Sequence, residues 1–302
     1  YMETERIRDF NRLTKFEPFW QNLVKHSPAD PIFSSYTWLK EWWEAFHTDT
    51  DDLRVIVLNE EMELVGVAAL YLTTEDWGPI SARVLAPLGR TTAEYLDLIV
   101  SSEIKDLYRL LLETLLADKD WDVLVLNRLP ASSSTRREIK NAASELGLTV
   151  LEEEEQICPF FKLTESSFGD FFCNHFGRSS RNNIRRKTKK LNELGKQKFE
   201  VITDPTKLDN KFPMVFDLEN RSWKGKEGIG IFNNEERKRF FTNVAKSMAS
   251  EKRFLLHLHY LDERLISYSF NFMTSAKLYV YSLSFDPDFA LYSPGLLSLL
   301  EL

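Results

Sequence analysis

Two stretches of the chain are written in the same way. Residues 58–73 (LNEEMELVGVAALYLT) and 259–274 (HYLDERLISYSFNFMT) each run from the end of an apolar strand, through a short charged turn, into a second strand. So short a turn joins only antiparallel neighbours, and each stretch therefore commits its surroundings to an antiparallel sheet. The plan around both is also the same: helix, helix, strand, tight turn, strand, third strand. Over 302 residues this reads as a duplication, and the length allows two domains, each with a core of its own. The expected fold class is α/β in the α+β sense, each domain a mixed, mostly antiparallel sheet flanked by helices, with boundaries at 1–160 and 161–302. The first copy continues beyond its third strand with helix, strand, helix, strand. The second stops one helix in, so a C-terminal strand–helix portion is expected to be missing, deleted or disordered. The opening Tyr1-Met2 reads as an expression remnant or as the middle of a longer chain.

In the first half, Phe16–Lys25 and Ser35–Phe46 have helical spacing. The second of these places Trp38, Leu39, Trp42, Trp43 and Phe46 on its buried side, which marks the tryptophans as core rather than as a ligand cage. Strands are expected at Leu53–Leu58, Leu64–Leu72, near Ala82–Leu88 and near Tyr95–Val100. A helix at Glu103–Leu116, a buried strand at Trp121–Leu126 and a helix at Ser133–Leu146, stopped by Gly147, follow. From Leu148 the chain reads as extended, through the acidic run Glu152–Glu155, to Leu163. The second half begins with a helix at Phe168–His175 and a long basic helix. A strand at Phe199–Ile202, a helix at Lys207–Trp223, a glycine-punctuated loop at 224–230 and a helix at Asn234–Ala249, capped by Asn233, come next. Strands at Arg253–Tyr260, Leu265–Met273 and Lys277–Leu283 precede a final helix.

The basic helix carries the strongest charge contrast. From Arg178 to Lys198 there are nine Lys or Arg against Glu193, a balance of +8 that leaves −15 on the rest of a chain totalling −7. Ser179 or Ser180 is suited to cap its start, Gly195 to end it in the left-handed conformation, and Ile184, Thr188, Leu191 and Leu194 make one apolar stripe. Like charges at i,i+4, such as Arg181/Arg185 and Arg186/Lys190, repel unless an anion or a carboxylate relieves them. The overall acidity argues against general nucleic-acid binding. No apolar run approaches the length of a membrane span, and the start carries no signal-peptide pattern. Cys158 and Cys173 stand far from any His or Cys partner, so neither a metal site nor a disulfide framework is implied and the expected setting is reducing and cytoplasmic. His257 and His259 share a strand face without further ligands, so no metal is expected.

At the end of the chain, a strand, a loop and Ser293-Pro294-Gly295 opening a helix present free backbone N–H groups to an anion. Ser293 is suited to cap, Pro294 to the first helical position, and Gly295 to let a phosphate approach the backbone. The ordered set RSSRNNIRRKTKKLNELG, LENRSWKGKEGIG, a strand hairpin and SFDPDFALYSPGLL resembles the GNAT-superfamily acyltransferases of the tandem, Fem-like kind, which include proteins associated with polysaccharide and cell-envelope biosynthesis. The resemblance covers nearly the whole chain. It implies two tandem GNAT-like domains, the second donor-binding and catalytic and the first structural or acceptor-binding. It also implies that Leu283 and Ser284 line the pantetheine arm of acyl-CoA, and that Ser293, Gly295 and the N–H groups of Leu296 and Leu297 hold its phosphates. The superfamily loop runs Arg or Gln, two residues, Gly, one residue, Gly or Ala. Tyr292 and Leu297 replace its first and last members here, which leaves an acyl carrier protein thioester or, as in Fem-type enzymes, an aminoacyl-tRNA as alternative donors.

Glu219 is the candidate general base, since an acceptor amine must lose a proton and a carboxylate beside an indole, Trp223 at i,i+4, can take it. Tyr281 is the candidate acid for a leaving thiolate, with packing as its other reading. Arg181, Arg185, Arg186, Trp223 and Lys224 are the candidate substrate- and anion-binding groups. The expected activity is direct acyl transfer from a thioester to an amino or hydroxyl group of an amino sugar, nucleotide sugar or amino acid, without a metal. Its rivals are a tRNA-dependent transferase acting on a cell-envelope precursor and a catalytically inactive binding module.

Overall fold

A computed structural model describes residues 2–104, 106–154 and 156–302; the readings that fall on Tyr1, Lys105 and Glu155 lie outside the described residues. The chain forms two compact units, one ending at Gln156 and one beginning at Ile157.

The first unit runs β1 (Met2–Ile7), a 3-10 turn (Phe10–Phe16), α1 (Glu17–Lys25), α2 (Tyr36–Phe46), β2 (Asp52–Glu60), β3 (Glu63–Trp77), β4 (Ile80–Pro87), β5 (Ile99–Val100), α3 (Leu107–Leu116), β6 (Val123–Leu124) and α4 (Ser134–Glu145). Its sheet has the order β1-β2-β3-β4-β6, antiparallel except for the β4–β6 pair, with β5 on the side of β3. Trp38, Leu39 and Trp42 are buried as their spacing requires, whereas Trp43 and Phe46 are half-buried. Two expected strands shrink to Ile99–Val100 and Val123–Leu124, and residues 149–154 and 156–166 have no regular secondary structure apart from a bend at its end. The acidic run places like charges side by side there, which works against pairing.

The second unit runs α5 (Phe168–His175), α6 (Arg178–Leu194), β7 (Gln197–Ile202), α7 (Pro205–Arg221), α8 (Trp223–Lys226), α9 (Glu235–Ser250), β8 (Phe254–Leu261), β9 (Arg264–Met273), β10 (Leu278–Phe285), a 3-10 turn (Pro287–Tyr292) and α10 (Pro294–Glu301). Its sheet, β10-β9-β8-β7, is antiparallel throughout and repeats the order of the first four strands of the other sheet. The repeat extends to an irregularity. The β2–β3 register slips between Leu58 and Asn59, and the β8–β9 register slips between His259 and Tyr260, at the positions the two hairpin sequences share. Both turns begin with a residue in the left-handed region, Glu61 at φ +49° and Asp262 at φ +52°.

The two faces of the second sheet differ. Tyr268, Phe270 and Phe272 of β9 lie in an aromatic core with Phe212 of α7, Phe232, and Phe240 and Phe241 of α9. The alternate residues Ser267, Ser269 and Asn271, with His257 and His259 of β8, face the other way, toward α10. His257 Nδ1 meets Ser298 Oγ at 2.9 Å, and His259 reaches the Pro294 carbonyl at 3.4 Å and the Gln197 side chain at 2.9 Å. Phe199 stacks on His259 with centroids 4.2 Å apart. The helix α6 is anchored beside α10 by Ile184 and Leu191, which join Leu261, Ile266 and Leu297 in a small apolar cluster.

Several local expectations are corrected. Leu194 is 54% exposed and outside the stripe. The N-cap of α6 is Gly177 with no side-chain cap, and that of α9 is Asn234, which accepts from the Arg237 N–H at 2.8 Å. Gly195 is extended rather than left-handed; it is required because a Cβ there would stand 2.4 Å from Asp262 Oδ2, the carboxylate that also receives the Lys196 N–H.

Burial lowers the pKa of His259 from 6.5 to about 4, so the folded chain keeps the ring neutral where the unfolded chain protonates it. The unfolded state therefore takes up the proton first, and this contribution to stability is intact above pH 6.5 and lost as pH falls toward 4, by up to about 3 kcal/mol. Urea unfolding across that interval should show a weaker acid dependence in His259→Asn than in the wild type.

Candidate active site

The helix α7 ends at Arg221, and Ser222 breaks it by donating its hydroxyl to the Glu219 carbonyl at 2.7 Å. The chain restarts as the single turn α8, so Trp223 no longer shares a helix with Glu219 and its ring is 49% exposed. Glu219 itself is 1% exposed. Its Oε1 accepts from the Tyr268 hydroxyl at 2.6 Å and from the Ile231 N–H at 3.2 Å, and its Oε2 accepts from the Phe232 N–H at 2.7 Å. The glycines of the loop make this possible. A Cβ on Gly230 would stand 2.4 Å from Glu219 Oε2, and one on Gly225 would stand 2.4 Å from the Glu219 carbonyl oxygen. Three protein donors on a carboxylate that is 1% exposed take up most of its accepting capacity away from solvent. Through these bonds Glu219 ties the 224–232 loop to α7 and to β9.

Lys224 leaves α8 toward the sheet and donates to Ser282 Oγ on β10 at 3.4 Å. Burial lowers its pKa, and the charge of Glu219 acts in the opposite sense. At the foot of the same strand Asp286, 1% exposed, receives Arg221 Nη1 at 2.6 Å and Arg264 Nη2 at 2.7 Å. Burial alone would raise its pKa, but the two guanidinium groups hold it below the usual carboxylate value.

The strand β10 is irregular where it matters. Its register against β9 slips between Val280 and Ser282, so Tyr281 stands at a bulge. The Tyr281 ring packs 5.4 Å from Phe241 and 5.5 Å from Phe272, in the aromatic core. Beyond the bulge the side chains alternate. Ser282 and Ser284 lie opposite Phe270 and Tyr268, on the α7 side, whereas Leu283 and Phe285 face α10. Leu283 and Ser284 thus cannot meet one ligand with the same face. The missing side chain of Gly295 points at Leu283 and Phe285, at 3.5 and 3.4 Å, and lets α10 lie close on the strand.

The mouth of α10 adjoins the cationic helix. Ser293 sits at the N-cap with φ +52° and ψ +53°, but its hydroxyl makes no cap bond; it accepts from Lys187 Nζ of α6 at 2.5 Å. The Leu297 N–H closes the first turn on the Ser293 carbonyl at 3.1 Å, so the N–H groups of Gly295 and Leu296 precede the first intrahelical bond. Leu297 is buried and Leu296 partly exposed. Of the basic candidates, Arg181 donates to the Cys173 and Phe176 carbonyls, both at 2.8 Å, and so seals the end of α5. Arg185 lies over the Phe172 ring and Arg186 bonds Asn183 at 2.9 Å; both are exposed. Lys187, Tyr268, Ser282 and Gly230 were not singled out from the sequence. Only Gly230 left a signal there, as the last glycine of the punctuated loop.

Residues 178–302 match the acetyltransferase (GNAT) domain family. The match covers most of the second unit. No curated protein sequence matches the chain. Among solved structures it is similar to FemX, with 12% identity, a TM-score of 0.58 and coverage of 99% of this chain and 85% of that one. A conserved protein of unknown function from Bacteroides thetaiotaomicron VPI-5482 shows 11% identity and a TM-score of 0.50, with coverage of 99% and 84%. At such identities the likeness concerns the fold, and it spans both halves of the chain. Among the described residues, no helix is long and apolar enough to cross a membrane, and no three His, Cys, Asp or Glu side chains cluster as a metal site.

Gly230→Ala should destabilise the second unit by about 1–3 kcal/mol, because the new methyl group displaces the buried Glu219 carboxylate from its donors. Urea unfolding of the two proteins side by side measures it.

Proposed function

We propose that the second unit transfers an acyl group from a thioester, acyl-CoA in the first instance, to the amino group of a small acceptor such as an amino sugar, nucleotide sugar or amino acid. The observation that carries this reading is the contact between Lys187 and Ser293, which brings a cation to the open first turn of α10. Backbone donors and a lysine at one point suit the pyrophosphate of a nucleotide-bearing donor. From there the donor's arm would run along β10 toward the bulge at Tyr281, where the thioester would meet the acceptor. Acyl transfer then depends on positioning and on donors aimed at the developing oxyanion rather than on a covalent enzyme intermediate. The first unit would serve as scaffold or acceptor platform. Its acceptor would be a precursor of polysaccharide or cell envelope, as the Fem-like resemblance implies, and the reaction would take place in the cytoplasm. A carrier-protein thioester presents the same phosphopantetheine arm and remains within this reading.

A second reading, an aminoacyl-tRNA donor, is favoured by one observation. Arg185, Arg186, Lys189 and Lys190 are all exposed along α6, a cationic face longer than a pyrophosphate needs.

A thermal-shift series with acyl-CoAs, carrier-linked thioesters and UDP-sugars tests both, since a ligand that binds the native state adds directly to its stability. Acyl-CoA should raise the melting temperature, and Lys187→Ala should weaken its binding by about 10- to 100-fold, the loss of one charge-assisted hydrogen bond. A tRNA donor would instead show a steep salt dependence that Arg185→Ala with Arg186→Ala largely removes. An inactive module would show no turnover with any thioester.

A further inference from the structure

Four polar groups of the second unit form a file that runs from the surface of the loop into the core. Glu219 stands at its inner end. The Tyr268 hydroxyl, wholly buried, donates to Glu219 Oε1 at 2.6 Å and lies within hydrogen-bond reach of Ser282. Ser282, 3% exposed, receives Lys224 Nζ at 3.4 Å. The carboxylate can only accept, and this fixes the direction of every bond in the file. Tyr268 spends its proton on Glu219, its oxygen accepts from Ser282, and the Ser282 oxygen is left to accept from Lys224.

We propose that Lys224 is the base that deprotonates the acceptor amine, aimed by the file of Ser282, Tyr268 and Glu219. The inference rests on the acyl-transfer reading above and supplies the group that reading lacks. In its neutral form Lys224 can keep one N–H on Ser282 and hold its lone pair free for a proton beside the bulge of β10. The acceptor ammonium gives one proton to Lys224 Nζ. The resulting amine attacks the thioester carbonyl carbon, the C–S bond breaks with its electron pair going to sulfur, and the second amine proton leaves with the thiol. The products are an amide, a thiol and a protonated Lys224 that returns its proton to solvent. Desolvation of the lysine favours the neutral form that the step requires, and Glu219 of α7 opposes it. The neighbouring titratable groups on the sheet are Tyr268 of β9 and Tyr279 and Tyr281 of β10, whereas Arg221 and Arg264 are held by Asp286 together with Asp217 and Asp288. In this arrangement Lys224 is a catalytic residue and Ser282, Tyr268 and Glu219 are positioning residues.

Two measurements test it. In the free full-length protein, competitive acetic-anhydride labelling read by peptide mass spectrometry should show Lys224 becoming nucleophilic at lower pH than the exposed Lys189 and Lys190. In steady-state assays, Lys224→Met should lower kcat about 100-fold or more, while the donor-induced thermal shift persists and added primary amines restore part of the rate. Ser282→Ala should lower kcat rather than raise KM, and Ser282→Thr, which keeps the hydroxyl, should recover it. Titration of Lys224 together with the surface lysines, or a Lys224→Met enzyme with full kcat and raised KM, overturns the assignment and leaves Lys224 a binding cation. Absence of any donor-induced shift in the wild type overturns acyl transfer itself, and the catalytic role of Lys224 with it.

Discussion

The second unit depends on a carboxylate that never meets water. Removing a charge from solvent costs several kcal/mol unless donors replace the lost hydration, and Glu219 has two backbone N–H groups and a tyrosine hydroxyl in that role. The three donors come from the loop after α8 and from β9, so satisfying one side chain fixes a loop against a helix and a strand together. The loop can approach only because Gly225 and Gly230 carry no Cβ. Once the loop is fixed, α8 is fixed, and with it the direction in which Lys224 enters the sheet.

The cationic helix is solved by other means. Only Ile184 and Leu191 of α6 are buried, too small an apolar seam to hold so basic a helix by itself. Two basic residues supplement the seam by turning inward, Arg181 onto the free carbonyls at the end of α5 and Lys187 onto Ser293. Each relieves part of the mutual repulsion, Arg181 anchoring the first turn of the helix and Lys187 its middle. The remaining cations, Arg178, Arg185, Arg186, Lys189 and Lys190, stay in water, where screening keeps their repulsion small. The histidine pair beneath α10 plays the complementary part, seating that helix through Ser298 and Pro294 with neutral rings that add no charge to the crowded side.

Much of the fold was legible because its governing pattern is local. A two-residue turn between apolar runs determines an antiparallel hairpin whatever surrounds it, and the aligned hairpins share even their register slip. Helix spacing placed Trp38, Leu39 and Trp42 correctly. Local pattern failed where a distant atom decides. Gly195 looks like a helix stop from its neighbours, but the reason for it is Asp262, on the far side of β7 and β8 in sequence. Glu219 reads from its neighbours as a carboxylate desolvated by Trp223, whereas the partners that bury it lie 12, 13 and 49 residues away. Helical periodicity carried Trp223 onto α7 because nothing in the sequence announces that Ser222 turns its hydroxyl back to break the helix. Lys187 and Lys224 were read as charge, since a sequence shows how many cations a segment holds and not which of them leave water.

The strand β10 reconciles these separate arrangements. Before Tyr281 it pairs with β9 in one register and after it in another, and the slip decides which residues face each side. Leu283 and Phe285 turn to α10 and provide the apolar floor on which Gly295 lets the helix settle, whereas Ser282 and Ser284 turn to α7 and the polar file. A shift of one residue in the later register would exchange the two sets, putting hydroxyls under the helix and leucine against Lys224. The bulge therefore does more than bend an edge strand. It separates the side that packs against α10 from the side that meets α7 and the polar file.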